Sequence, residues 1–469
     1  MTDLVVGVDM ATADVRAVAA DADGRVHAEA AGPLPADDPA EWWPATAAVL
    51  AQLTNRLGGD RQHIRALSVC ATSGTVVALD AGGEPVGPAL PYSDQRAVDE
   101  AERAQEAGAK RWARLGLRVQ PSFGLPKWAW LLAHDHADHI ARLAHASDVV
   151  VGRLIGGRAP TDWSHALKSG YDPERREWAA EAMDALDIPL AFLPEVERPT
   201  EVVGTVSADV HAATGLPRSC DVRLGMTDAC AAQLAAGAGS PGRWVSVLGS
   251  TLALKGASRE PVVDPAGAVY SHRHPDGWWL PGGASSTGAK ALTDGFGHDD
   301  LARLDGAAAA HGPAHALVYP LTGQGERFPF MAPKATGFTV GDTTDEVERY
   351  RATLEGVAFV ERLGYERLKA LGADVTPPIA AAGGGSASPA WNRIRATALG
   401  MPLLATPGAT TARGACILAA AGALHDDLGR ATAAMAAHGE PVEPDGAHTG
   451  ELDRSYQRFI EALSERGWL

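Results

Sequence analysis

A chain of 469 residues, 46% hydrophobic and 21% charged, has the composition of a globular protein with a sizeable core, and its length allows about two or three domains. Its 41 Lys and Arg stand against 58 Asp and Glu, a formal net charge of −17 that disfavours nucleic acid and anionic membrane surfaces as partners. Cys70, Cys220, Cys230 and Cys416 form no CxxC pair, which excludes a zinc knuckle or a disulfide scaffold. No basic leader precedes the apolar start and no run reaches ~18 uncharged apolar residues, so a soluble, cytoplasmic protein is expected.

The first 30 residues read as a β-meander. Apolar runs at 4–8 and 15–20 flank the polar turn from Asp9 to Asp14, and Asp21-Ala22-Asp23-Gly24 marks the next turn. A helix is expected over 41–57, with Trp42, Ala45, Val49 and Leu53 on one face. Strands follow at 64–70 and 76–80, then helices at 100–115 and 126–143. His134, His136 and His139 lie on the second of these helices. Their spacing puts them on different sides among solvated neighbours, which fits a solvent face better than a metal site.

Asp228, in Gly225-Met226-Thr227-Asp228-Ala229-Cys230, stands at a strand-to-helix switch. A carboxylate there either caps the helix or accepts a proton from a bound hydroxyl. The stretch 237–242 is rich in glycine and marks a boundary between domains at 1–238 and 239–469. Residues 243–255 form a second strand-turn-strand, whose turn Gly249-Ser250-Thr251 repeats the layout of the Asp9 turn and points to a duplicated module. His272 and His274 flank Arg273 in an expected loop before the turn Pro275-Asp276-Gly277. At 377–389 a strand leads into Gly383-Gly384-Gly385-Ser386 and then a helix with Ser388 at its N-cap and Pro389 at its first position. Such a loop is either a phosphate cradle or a tight turn.

Two phosphate-loop patterns fail on their context. Gly283 to Lys290 has one residue too many before the lysine and Ala291 after it, so it is not a Walker A motif. The GxGxxG at Gly237 to Gly242 follows a helical stretch and precedes a strand, the reverse of the dinucleotide-binding order.

Taken together, Asp9-Met10-Ala11-Thr12 with Arg16, Gly225-x-x-Asp228-Ala229, Gly249-Ser250-Thr251, Gly325-Glu326-Arg327-x-Pro329 and Gly383-Gly384-Gly385-Ser386 with Asn392, Gly414 and Ala415 resemble, in order, the motifs of the FGGY carbohydrate kinases. That resemblance implies an α/β fold of two actin-like (ribonuclease H-like) domains, with mixed β-sheets flanked by helices and a cleft between them. The N-terminal domain would mainly bind sugar and the C-terminal domain mainly ATP. By the same resemblance Asp228 is the catalytic base and Asp9 holds Mg²⁺. Asp9, Ser73, Asp94 and Asp228 contact the sugar, while Thr12, Arg16, Gly249, Ser250 and Thr251 bind phosphates. Gly383, Gly384, Gly385, Ser386 and Asn392 line the adenosine site.

Xylulokinases carry histidine where this chain has Ser73, and the stretch from Tyr270 to Ser285 looks more like the kinases of D-ribulose. The resemblance therefore implies ATP-dependent phosphorylation of a ketopentose, D-ribulose first. The alternatives are a xylulokinase, another sugar or polyol kinase, or a non-catalytic sugar-binding regulator. A homodimer is compatible with this reading. The family's first hairpin has glycine where Ala11 stands here; if that position needs φ > 0, alanine costs about 1 kcal/mol.

Overall fold

The computed structural model describes residues 2–134, 137–297 and 300–469, and within it the chain forms two α/β units. The first comprises Met1–Ala235, His272–Gly277 and Thr410–Ala436; the second comprises Ala236–Ser271, Trp278–Ala409 and Ala437–Leu469. A single division at residue 238 thus leaves out two excursions by which later segments return to the first unit.

In the first unit β1 (Leu4–Met10), β2 (Asp14–Ala20) and β3 (Val26–Pro33) make the expected antiparallel meander. On its other edge β1 pairs in parallel with β4 (Ile64–Ala71), which pairs in parallel with β6 (Asp221–Thr227); β5 (Val202–Thr205) closes the margin antiparallel to β6. The order across the sheet is β5-β6-β4-β1-β2-β3. Leu4, Val5, Val6 and Val8 are all buried, so β1 is covered on both faces and reads as a continuous apolar run. Helix α1 (Pro39–Leu57) starts at Asp38, whose carboxylate accepts from the Ala40 N–H, and buries Trp42, Val49 and Leu53. Strand β6 passes directly into α2 (Asp228–Ala235).

The second unit repeats this plan. Strands β7 (Trp244–Leu248) and β8 (Leu252–Gly256) form a hairpin, followed on one side by β10 (Trp279–Ala284) and β9 (Tyr270–Arg273). On its other side β7 pairs in parallel with β11 (Ile379–Ala382), then come β12 (Leu403–Ala405), parallel, and β13 (Glu440–Val442), antiparallel. A hairpin whose first strand is flanked by parallel strands thus occurs in both sheets, as the duplicated layout predicts. After β11 the glycine loop leads into α3 (Pro389–Leu399), where the Ser388 hydroxyl accepts from the Trp391 N–H and Pro389 opens the helix.

Helix α4 (Thr411–Ala420) lies among the C-terminal residues yet packs in the first unit, on β1 and α2. Both contacts are made at backbone distance. A Cβ on Gly7 would fall 2.1 Å from the Ala412 carbonyl oxygen, and one on Gly414 would fall 2.0 Å from that of Ala231. Gly414 is therefore a packing residue of the first unit.

Three expected elements change. The helix over 100–115 is two helices, Val98–Ala107 and Ala109–Leu115, that meet at Gly108, where the Trp112 indole leaves no room for a Cβ. The helix over 126–143 is Gly124–Ala133, and Arg142–His145 is a strand antiparallel to Val76–Leu79, because tertiary pairing overrides an apolar pattern that either structure could use. His134 follows that helix and stacks on Trp130, His139 sits in a 3-10 turn, and His136 lies outside the described residues. His272 belongs to β9 and is buried, whereas His274 does open the expected turn by accepting from the Gly277 N–H. Among the described residues no cluster of three His, Cys, Asp or Glu could hold a metal, and no helix is long and apolar enough to cross a membrane.

Candidate functional site

Because β1, β4 and β6 run parallel, their C-terminal ends lie together. Asp9 pairs with Cys70, Met10 with Ala71, and Ala71 with Thr227. This register sends Asp9 and Asp228 off the same end of the sheet, although they are more than two hundred positions apart in the chain. Burial pushes the Asp9 carboxyl up to about 7; the charges of Asp228 and Asp14 add to this and Arg16 opposes it. Its Oδ1 is buried and has no hydrogen-bond partner among the described residues.

Burial likewise raises Asp228. The Ala229 N–H, the charges of Lys168 and His165, and the Thr72 hydroxyl act in the opposite sense. The Ala229 N–H donates to Asp228 Oδ1 at 2.6 Å, and the Thr411 hydroxyl of α4 donates to the Asp228 carbonyl at 3.4 Å. Asp228 therefore has the hydrogen bonding of a helix-starting residue, but also an electrostatic setting that a simple cap would not need.

The turn between β1 and β2 is closed by the Ala11 N–H, which donates to the Asp14 carbonyl at 3.0 Å. Ala11 does not adopt positive φ, so the strain expected at this departure is absent. Thr12 stands exposed at the tip, and Arg16 faces Asp9 across the hairpin.

Ser73 is buried, with no partner for its hydroxyl among the described residues. Asp94 is engaged: both its oxygens accept from Arg96 Nε, and the Arg96 guanidinium in turn lies 4.8 Å from the Trp130 ring centre. Next to Ser73, the buried Lys127 ammonium donates to the carbonyls of Gly74 at 3.0 Å and Pro91 at 2.5 Å. Burial pushes its pKa down to about 8. Lys168 lies over the Phe123 ring and projects its charge onto both Asp228 and Lys127.

In the second unit Ser250 and Thr251 are exposed at the tip of the β7–β8 hairpin. Gly249 donates to the Thr251 carbonyl and accepts from Ala289 N–H, while Ser250 accepts from Lys290 N–H. The segment that fails as a Walker A motif thus serves as the buttress of this turn. Gly288 makes the approach possible, since a Cβ there would lie 2.4 Å from Thr251 Cα. The buttress is tied down by buried Glu326: its Oε2 accepts from Ser285 at 2.8 Å, Tyr319 at 2.9 Å and Thr287 at 3.1 Å.

Gly383 has φ +82, and a Cβ on it would lie 2.6 Å from the Leu248 carbonyl oxygen, so the glycine loop rests on the residue before Gly249. Gly385 packs on the Leu248 side chain, while Gly384 has open space around it. The Ser386 hydroxyl donates to the Gly383 carbonyl at 2.7 Å. Asn392 is buried; its Nδ2 donates to the Ser386 carbonyl at 2.7 Å and its Oδ1 accepts from Arg395 at 3.2 Å. Ser386 and Asn392 thus hold the loop's shape with their side chains.

Sequence reasoning missed Thr72, Lys168, the His165 cluster and the buttress at Gly288. Thr72 directly precedes Ser73, and Asp162-Trp163-Ser164-His165 carries the signature of an Asx-capped turn; both were readable as local signals.

The FGGY family of carbohydrate kinases, N-terminal domain, matches residues 4–235, and the C-terminal domain of the same family matches residues 245–423. A xylulose kinase from Streptomyces coelicolor is 33% identical over 421 residues, 85% of this chain and 84% of that protein. The solved structure of xylulose kinase from Rhodospirillum rubrum superposes with a TM-score of 0.86 at 30% identity, covering 98% of both chains. That of a xyloylose kinase from Brucella ovis gives 0.90 at 25% identity, covering 99% of both.

Proposed function

The chain belongs to the FGGY family of carbohydrate kinases, and we propose that it transfers the γ-phosphoryl group of MgATP to a terminal hydroxyl of a ketopentose. The observation that carries the assignment of roles is that Asp9 and Asp228 leave the same end of the sheet, from the parallel strands β1 and β6 on either side of β4, each carboxyl displaced upward by burial. In phosphoryl transfer most of the catalysis is positioning and charge neutralisation, so two such groups need distinct tasks.

Asp228 accepts the proton of the attacking hydroxyl. The Ala229 N–H, the Thr72 hydroxyl and the Lys168 charge favour its ionised form, which a base requires. Asp9 offers a carboxylate oxygen with no partner among the described residues, which is the chemistry Mg²⁺ takes; the ion would neutralise charge on the donor phosphates. The exposed hydroxyls of Thr12, Ser250 and Thr251, with the backbone of Gly249 and the charge of Arg16, supply phosphate contacts. Gly383, Gly384 and Gly385, held by Ser386 and Asn392, offer backbone to the adenosine. The Ser73 hydroxyl has no partner among the described residues, which supports a sugar contact; Asp94, tied to Arg96, orders the neighbouring loop and reaches sugar only if it gives up part of that pair.

D-Xylulose is the first acceptor, supported by the names of the relatives at 30–33% identity. D-Ribulose is the second reading, favoured by Ser73 in the place where xylulokinases carry histidine. An ADP-release assay across D-xylulose, D-ribulose, L-ribulose and glycerol tests both. A dominant kcat/KM for either ketopentose supports the proposal; turnover of glycerol alone, or of none, overturns it.

A further inference from the structure

Behind Asp228 lies a buried cluster that the reaction as described does not use. Asp162, Ser164 and His165 are 3%, 0% and 1% exposed, and they occupy the start of the short helix Trp163–Ala166. Asp162 Oδ1 accepts from the backbone of Ser164 at 2.8 Å and of His165 at 3.2 Å, which forms the helix cap. Its Oδ2 faces His165 Nδ1.

The other ring nitrogen, Nε2, lies 3.2 Å from the carbonyl oxygen of Ala71. Both nitrogens of His165 therefore meet acceptors that have no proton to give, so the ring carries both protons and donates twice. Burial opposes this charge, but the carboxylate and hydrogen bond of Asp162 overcome it and push His165 up to about 9. The Ser164 hydroxyl makes the third link: it donates to Asp162 Oδ1 at 2.5 Å and accepts from the Thr227 N–H at 2.9 Å.

The placement of these bonds matters. Ala71 is the last residue of β4 and Thr227 the last of β6, and the two pair only after the ladder shifts register between Leu224 and Thr227. Regular strand hydrogen bonding is thus interrupted just where alignment is needed. The next residues are Thr72 and Asp228, and the Thr72 hydroxyl favours the ionised form of the Asp228 carboxyl. We infer that His165, with Asp162 and Ser164, is a positioning clasp that grips both strand ends and so fixes Thr72 and Asp228, the residues that leave them, relative to each other. His165 touches no substrate and acts through the two strand ends. The inference rests on the reading of Asp228 as the base.

The test uses the full-length protein with its best ketopentose and MgATP, and measures kcat, both KM values and the thermal midpoint for His165→Leu, His165→Gln, Thr72→Val, His165→Leu/Thr72→Val and Asp228→Asn. Leucine fills the ring's volume without donors, while glutamine keeps an N–H near the Nε2 position, which meets the Ala71 carbonyl. Expected are a kcat at least about ten-fold lower for His165→Leu with KM for ATP unchanged, and recovery to within a few-fold for His165→Gln. The double variant should be little worse than the worse single one, because both remove the same alignment. Leucine and glutamine variants of equal kcat, or multiplicative losses in the double variant, overturn the clasp while Asp228→Asn remains inactive. If Asp228→Asn keeps wild-type kcat, the base assignment fails and the clasp's purpose fails with it. Should His165→Leu not fold, Ser164→Ala replaces it, with the same kcat loss and the same non-additivity with Thr72→Val expected.

Discussion

Asp228→Asn separates a catalytic carboxylate from a helix cap, because asparagine keeps the Oδ1 that accepts from the Ala229 N–H and removes only the charge. In the wild type, burial and the Asp228 charge move Asp9 from its ordinary 3.8 to about 7. A carboxyl whose folded pKa lies above its unfolded one holds a proton the unfolded chain has released. Stability is then full below about pH 4 and falls as pH climbs toward 7. That displacement is worth at most ~4 kcal/mol, and because Asp9 is still partly open to solvent, a loss of about 1–2 kcal/mol is a fairer figure. Asp228, itself raised by burial, adds a loss of the same sign. Removing its charge should therefore stabilise the protein by about 1 kcal/mol at pH 8, a rise of roughly 1–2 °C in Tm. The difference should shrink as pH falls toward 4, where Asp9 is protonated in the wild type. Over the same preparation kcat should fall by at least ~10²-fold. Calorimetry at pH 4 and 8 beside a coupled ADP-release assay reads both. A variant that is less stable than wild type at pH 8, with activity lost only in proportion to folded protein, would show Asp228 to be a helix cap.

Three further outcomes follow from the geometry. Gly288→Ala places a Cβ against backbone atoms of Ser250 and Thr251, which cannot swing aside, so KM for ATP should rise about ten-fold while KM for sugar holds; an unchanged KM for ATP removes that hairpin from the donor site. Lys168→Met deletes a charge that favours ionised Asp228, so the acid limb of kcat/KM should move to higher pH, and a limb that stays in place would show Lys168 to be a bystander. Ala11→Gly should not tighten ATP, since Ala11 has no positive φ to relieve; glycine there should instead cost a few tenths to 1 kcal/mol through the unfolded chain, and a tighter Kd for ATP would contradict this.

What the sequence made legible follows the range of the interactions involved. The β1–β2 hairpin, the switch at Asp228 and the Ser388-capped helix after the glycine loop all declare themselves within about ten residues, by apolar runs, turn residues and a cap. The merged helix over 126–143 was illegible for the opposite reason. Ile140 and Leu143 continue a helical pattern, but Arg142–His145 gains more from pairing with Val76–Leu79, some sixty positions earlier. Motif order singled out Asp9, Asp228 and the hairpin turns as candidates, because those residues are few and spaced by fixed local geometry.

The supporting contacts left no comparable trace. Nothing in Gly288 announces that Thr251 will lie against it, and nothing in Gly7 announces a helix that begins more than four hundred residues later. Such glycines are set by backbone approach, which has no period in the sequence. The same holds for the carboxyls. Asp9 and Asp228 are chemically ordinary in the chain, and they acquire their raised pKa values only because parallel pairing of β1, β4 and β6 brings their strand ends together in a buried place. A local motif can therefore single out the candidate groups, but their tuning is a property of the sheet. That is why variants at residues which never touch substrate, His165 and Gly288 among them, are the sharper tests of the site.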